Sequence, residues 1–171
     1  MTIFHKESHM KHFPFVGCTL VVVGLFLSAS GVSMLAQGNS SVGSWELNVA
    51  KSKFSPDPAP KSVSLKIEAT GMSATTTVDA VAADGAKQHW TYTAAYDGVD
   101  VPVTGINQYG DMASRKRISE TTTETTFKKA GKTTSVNTIV VSADSKMLTV
   151  TSKGTDSEGR AASNVQVFDR Q

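Results

Sequence analysis

The densest run of charge in the sequence is Arg115-Lys116-Arg117, and guanidinium groups are well suited to binding anions. In an extended strand Arg115 and Arg117 point to one face and Lys116 points to the other. If that face is turned inward, the two guanidiniums form an anion contact for a charged head group. If it is turned outward, the run forms a solvated strand that resists edge-to-edge aggregation. The sequence leaves both alternatives open.

Residue types that carry out catalysis are scarce. His89 is the single histidine after residue 36, and the one cysteine of the chain, Cys18, lies before that point. A zinc site or a Cys-His nucleophile needs more such residues, so we predict no metal, no cofactor and no enzymatic activity. A hydrolase built on two carboxylates that folding brings together is left open. Several carboxylates lie where turns use them, namely Asp84, Asp97, Asp144, Asp156 and Glu158.

Aromatic and aliphatic side chains indicate function more directly. Trp90, Tyr92 and Tyr96 alternate along one predicted strand and therefore share a face. Aromatic walls with polar tips suit a pocket for an apolar ligand, although they also suit a plain core. The predicted pocket is lined by the apolar faces of several strands: Val63, Leu65, Ile67, Trp90, Tyr92, Tyr96, Val101 and Val103.

Alternation of apolar and polar residues dominates the chain from Lys61 onward and predicts half-buried strands. Turns rich in Asp, Gly and Ser separate eight to ten such stretches, and no stretch has helical spacing. Short strands joined in series give an antiparallel up-and-down meander, which removes its edges best by closing into a barrel. We therefore predict an all-β barrel over residues 43–171, with a two-sheet β-sandwich as the alternative.

The first 36 residues have a different composition from the rest of the chain. A mildly basic start precedes an apolar run over 13–27, and small residues follow it. These are the three parts of a signal peptide, which predicts export to the periplasm or secretion after a cut at Ala36 or near Ser30. The alternative is a membrane anchor formed by residues 13–36. Residues 37–42 then form a flexible lead-in to the barrel.

The overall charge is nearly balanced, with 17 Lys and Arg against 15 Asp and Glu. A nucleic-acid partner would favour a strong basic excess, so none is expected. No cysteine follows the predicted cleavage site, which excludes a disulfide framework in the mature domain. Its stability must therefore come from a packed core.

Gly43-Ser44-Trp45, at the start of the first strand of the meander, resembles the Gly-x-Trp signature of lipocalins, the calycin family. The chain also resembles a group of uncharacterised exported bacterial lipocalin-like proteins. The resemblance implies a calycin-type barrel that Gly43 and Trp45 close at the floor, and a small hydrophobic molecule bound inside. The blocks that carry it are 43–54, 96–105, 153–160 and Val167-Phe168-Asp169.

Two features depart from related families. Lipocalins carry an arginine near the chain end that covers the tryptophan, and the last-but-one position of Arg170 predicts that it does not take this role. Fatty-acid-binding proteins hold a carboxylate with an arginine two residues before a tyrosine in the final strand. Gln166 and Phe168 occupy those places here, so we predict no clamp of that kind.

Two functions follow from these patterns. The first is an exported, non-enzymatic binding protein that holds a small hydrophobic ligand inside the barrel. The alternative is a structural or protein-interaction module of the cell envelope with a filled barrel. It would use the Thr-rich strand at 121–126 and the extended, proline-rich connection at 50–61 as contact surfaces. In either case membrane contact is expected only through the N-terminal segment, if that segment is retained.

Overall fold

The computed structural model describes residues 40–56, 58–155 and 159–171, and over these ranges nearly the whole chain is extended. The predicted signal peptide or anchor at 1–36, part of the lead-in and the turn residues Asp156 and Glu158 lie outside the described residues. Within the described ranges, no helix has the length and apolar character needed to cross a membrane.

The described residues form eleven strands, with a short 3-10 helix, Val49–Lys51, after the first. The strands are β1 Gly43–Leu47, β2 Ser62–Thr70, β3 Ser73–Val81, β4 Lys87–Ala95, β5 Val101–Pro102, β6 Thr104–Ile106, β7 Met112–Arg117, β8 Thr122–Lys129, β9 Lys132–Val141, β10 Met147–Thr155 and β11 Ala161–Arg170.

All strand pairs are antiparallel and belong to a single sheet in the order β5-β7-β8-β9-β10-β11-β1-β2-β3-β4-β6. The first and last strands of the chain pair, with Trp45 opposite Arg170. The barrel closes between β4 and β7, a junction called the seam below. There the chain just after β4 reaches β7, and the amide of Gly98 donates to the carbonyl of Arg115 at 2.8 Å. The sheet therefore curls into a nearly closed up-and-down barrel, and the predicted all-β meander is confirmed.

Two details differ from the prediction. The β-sandwich alternative is wrong, because one continuous sheet runs around the barrel instead of two packed sheets. The strand count is eleven, not eight to ten, because the stretch around Pro102 forms two very short strands, β5 and β6, that pair with different neighbours. Proline lacks an amide donor, which confines it to such an edge position.

Alternation along each strand sends one set of side chains into the barrel. In β4 the buried residues are Trp90, Tyr92 and Ala94, whereas His89 and Thr93 on the opposite face are exposed. Threonines dominate the outer face of β3 and β4 and pair across the strands, as Thr75 and Thr93 do at 2.8 Å. β-branched residues suit this pleated surface, which explains why threonine is abundant in an exposed sheet.

Aspartates shape several of the turns, as the sequence predicts. Each carboxylate accepts a hydrogen bond from a backbone amide two residues later, the Asx-turn geometry that Asp favours. The bonds are Asp84 to Ala86 at 2.8 Å, Asp97 to Val99 at 3.0 Å and Asp144 to Lys146 at 3.1 Å.

Trp45 lies at the floor, the end of the barrel where β1 begins and β11 ends, and it is 1% exposed. The indole Nε1 donates to the carbonyl of Ser41 at 2.9 Å, and the guanidinium of Arg170 lies 4.1 Å from the ring centroid. The expectation that Arg170 does not cover the tryptophan is therefore wrong. β11 extends to Arg170 in register with Trp45, so the last-but-one residue belongs to the sheet and is not a frayed end.

Arg170 also ties three backbone segments together. Its guanidinium nitrogens donate to the carbonyls of Val42 and Ser40 at 2.8 Å each and to that of Ser145 at 2.5 Å. Gly43, with φ +142°, leaves room for this group, because a Cβ at that position would overlap Nη1 of Arg170. The Gly-x-Trp pattern thus has a local physical reason.

Candidate functional site

A cavity of about 370 Å³ lies inside the barrel. Its wall comes from the inward faces of strands on all sides of the barrel, and its mouth lies beside the turn after β3 and the connection between β1 and β2. Apolar and aromatic residues that line it are Phe54, Pro58, Pro60, Val63, Leu65, Ile67, Val78, Ala80, Ala82, Ala83, Trp90, Tyr92, Tyr109, Phe127, Ile139, Val150 and Phe168.

Most of the residues predicted to form the pocket face this cavity. Val63, Leu65 and Ile67 of β2 and Trp90 and Tyr92 of β4 are among its lining residues. The regular alternation of these two strands places them there.

Tyr96, Val101 and Val103 pack against the core but are not among the lining residues. Tyr96 lies beyond the end of β4, beside the seam between β4 and β7. Val101 belongs to the two-residue strand β5, which pairs opposite Ala113 of β7, and Val103 follows it at the same seam. The pocket predicted from the sequence therefore includes three residues that lie at the seam and not at the cavity.

Arg115 lies in the middle of β7, and its side chain is 2% exposed. Its Nη2 donates to the hydroxyl of Thr76 at 2.5 Å and to that of Tyr92 at 2.9 Å, and the guanidinium lies 5.3 Å from the Tyr92 ring centroid. These contacts fix the guanidinium at the cavity wall. Burial by itself lowers the pKa of Arg115, but its interactions with the Tyr92 and Tyr96 phenols outweigh that and leave its pKa raised, so the group is charged.

Arg117 does not join Arg115 at the cavity. It is half-buried at the end of β7, with its guanidinium 4.5 Å from the centroid of the Tyr96 ring. An inward pair of guanidiniums is therefore absent from the cavity lining, to which Arg115 alone of the two contributes. The alternative of a solvated run fits only Lys116, which is exposed on the opposite face.

Four buried polar atoms around the cavity have no hydrogen-bond partner among the described residues. They are Nε and Nη1 of Arg115, Nε1 of Trp90 and Oγ1 of Thr125. All three residues line the cavity. Buried polar groups are nearly always paired in folded proteins, so a cluster of unpaired ones at a single cavity marks a place where a ligand or water supplies the partner.

Sequence reasoning missed two further parts of the wall. Phe54, Pro58 and Pro60 reach the mouth from the connection between β1 and β2, which the sequence indicates only as an extended crossover. A polar patch on β9, β10 and β11 was also missed. Each of these strands has a buried apolar residue, and the residues two and four positions before or after it share its face, which is the signal that locates the patch. Its members are Asn137, Ser152, Asn164 and Gln166.

Among the described residues, the cavity lining contains no histidine or cysteine and one acidic residue, Asp84, so no pair of acid-base groups faces it. His89 lies on the outer face of β4, where its Nδ1 is 2.7 Å from the carboxylate of Asp79. Over the described residues no cluster of His, Cys, Asp and Glu has the arrangement of a metal site. The cavity can bind and orient a molecule through its walls and its single guanidinium.

No protein-family profile matches the chain, and a search of curated proteins also finds no match. Among solved structures the chain is similar to the crystal structure of zebrafish ileal bile acid-binding protein complexed with cholic acid. That similarity has a TM-score of 0.48 with 13% sequence identity, and it covers 77% of this chain and 99% of that chain.

Proposed function

We propose that this protein is an exported, non-enzymatic binding protein of the lipocalin-like kind that holds a small hydrophobic ligand inside its barrel. The observation that supports it is the interior cavity of about 370 Å³. Small-molecule sites typically measure about 300–1,000 Å³ and combine an apolar wall with a few polar groups, as this cavity does. Export rests on the pattern of the N-terminal sequence.

The apolar wall suits a ligand whose binding is driven by transfer of its apolar surface from water into the cavity. Aliphatic side chains on β2, β3, β9 and β10 face the cavity together with the rings of Trp90 and Phe127. Apolar surface removed from water contributes about 25 cal/mol per Å². Because the strands are already paired around the barrel, little ordering of the protein opposes binding.

The alternative function, a structural or protein-interaction module of the cell envelope, requires a barrel filled by its own side chains. The interior cavity argues against a filled barrel. The Thr-rich strand proposed as its contact surface also turns buried side chains inward, since Thr123 and Thr125 are both buried. The observation in its favour is a set of exposed apolar residues at separate loops and edges, such as Met72 and Ile106. Scattered exposed residues of this kind are ordinary on protein surfaces.

Titration with the neutral fluorescent probe N-phenylnaphthylamine tests the proposal. Ala80 lines the cavity, so Ala80→Phe should lower the affinity for the probe at least about tenfold by filling the site. Thr77→Phe is the matched control, because Thr77 alternates with the inward residues of β3 and pairs with Thr91 on the outer face. Absence of probe uptake by the wild-type protein, or an equal loss in both variants, would contradict an interior site.

A further inference from the structure

Arg115 is a buried cation without a counter-charge in the described part of the barrel. The acidic side chain at the same cavity is Asp84, which lies in the exposed turn at the mouth and accepts a hydrogen bond from Ala86. The side-chain neighbours of Arg115 are hydroxyl groups and not carboxylates: Nη2 donates to Thr76 and Tyr92, and the guanidinium also interacts with the phenol of Tyr96. Burying an unpaired charge is costly, so an isolated guanidinium in a core destabilises the fold. A role in binding an anion explains why the protein keeps Arg115 there.

The unpaired atoms of the site are predominantly donors. Nε and Nη1 of Arg115 and Nε1 of Trp90 can only donate hydrogen bonds, and the hydroxyl of Thr125 can donate or accept. What the site lacks is therefore an acceptor. Water could occupy some of these positions, but it would leave the positive charge uncompensated, whereas an anionic oxygen supplies both the acceptor and the charge.

The number of charges limits the identity of the anion. One guanidinium neutralises one negative charge, and the side chains around Arg115 are hydroxyl groups that supply no second cation: Thr76, Tyr92, Tyr96 and Thr125. A doubly charged phosphate monoester would leave a net negative charge in the interior. A carboxylate matches the charge of Arg115 and has oxygens suited to its nitrogens.

The position of Arg115 also sets the direction of the ligand. Thr76 and Tyr92, its partners, lie toward the floor ends of β3 and β4, away from the Ala82–Asp84 turn at the mouth. Between them and the mouth the wall is apolar on the side of Val78 and Ala80. A head group at Arg115 therefore leaves the tail directed outward along this wall.

We propose that the ligand is an amphipathic carboxylate that enters head first, with its carboxylate on Arg115 and its apolar tail toward the mouth. This deepens the proposed function and rests on it. The polar atoms that receive the carboxylate are Nε and Nη1 of Arg115, together with the hydroxyl of Thr125, which lies opposite Arg115 on the neighbouring strand β8. The hydroxyls of Thr76 and Tyr92 hold the guanidinium in position before the ligand arrives.

Displacement of N-phenylnaphthylamine by decanoate, decan-1-ol and decyl phosphate at neutral pH tests this, since each competitor has ten carbons in one unbranched chain and they differ in the head group. We expect decanoate to bind the wild-type protein at least about tenfold more tightly than decan-1-ol and more tightly than decyl phosphate. In Arg115→Met the preference for decanoate over decan-1-ol should fall to about onefold while the probe still binds. Arg117→Met, which removes a guanidinium outside the cavity, should keep the preference.

The outcomes separate this proposal from the function on which it rests. Equal displacement by decanoate and decan-1-ol in the wild-type protein overturns the carboxylate site, even if the probe binds well. Tighter binding of decyl phosphate overturns the assignment of a singly charged head group. Failure of the probe to bind at all contradicts the proposed function instead. The wild-type comparison decides between these outcomes even if Arg115→Met does not fold.

Discussion

Arg170→Ala is the substitution that best tests how the barrel is held closed. Arg170 is the last residue of β11, where it covers Trp45 and donates hydrogen bonds to the carbonyls of Ser40, Val42 and Ser145. The side chain therefore connects the final strand to the segment before β1 and to the turn between β9 and β10. Alanine removes all of these contacts and leaves the backbone of β11 in place.

The expected loss follows from the environment of the side chain. Arg170 is half-buried, so water can replace part of each lost bond, and each contributes about 0.7 kcal/mol instead of the larger value of a fully buried charged bond. Three bonds give about 2 kcal/mol, and the cation-π contact with Trp45 adds about 0.5–1 kcal/mol. We expect the free energy of unfolding to fall by about 2.5–3 kcal/mol, which lowers Tm by about 10 °C.

Urea unfolding followed by tryptophan fluorescence measures this change. Lys153→Ala is the control, because it removes an exposed cation from β10 and should change the free energy of unfolding by less than about 0.5 kcal/mol. Arg170→Lys keeps the charge but not the planar fork, so it should recover only a minor part of the loss. A free energy of unfolding for Arg170→Ala within about 0.5 kcal/mol of the wild-type value would show that the contacts of Arg170 do not hold the barrel closed.

Two further predictions concern the same end of the barrel. Gly43→Ala should lower the free energy of unfolding by about 1–3 kcal/mol, since the new Cβ has a strained φ and overlaps Arg170; a double variant with Arg170→Ala that is fully additive in urea unfolding would contradict this. Hydrogen bonds from Asn48 and from Lys51 lower the pKa of Asp169. The ionised Asp169 carboxylate therefore stabilises the fold above the ordinary Asp pKa of about 3.9, and this stabilisation is lost as pH falls below that value. Asp169→Asn should flatten the decline of urea midpoints measured between about pH 5 and pH 2.

The fold was largely predictable because the side-chain period of a strand is simple. In β2 and β4 the alternation reads directly from the sequence, and the turn aspartates mark where each hairpin reverses. The pairing of β1 with β11 was not readable, since pairing between strands so distant in sequence leaves no local pattern. For the same reason the sequence does not show that the stretch from Val101 to Ile106 divides into two short strands, which pair with β7 and with β4.

The candidate site was predictable in part. Alternation groups Val63 with Ile67 and Trp90 with Tyr92, but it states only which side chains share a face, not which face is inward. Arg115 and Arg117 show this limit. They share a face in sequence terms, yet Arg115 reaches Thr76 and Tyr92 inside the barrel while Arg117 packs on Tyr96.

Arg115 and Arg170 carry the same guanidinium group, and their hydrogen bonds separate their roles. Each of the three guanidinium nitrogens of Arg170 donates to a backbone carbonyl, so this side chain is complete without any ligand. In Arg115 one nitrogen has partners, and the other two have none among the described residues. A satisfied guanidinium stabilises the fold, whereas an unsatisfied one at a cavity retains its capacity for an anion. Loss of Arg170 should therefore reduce stability, and loss of Arg115 should reduce selectivity for the anionic ligand.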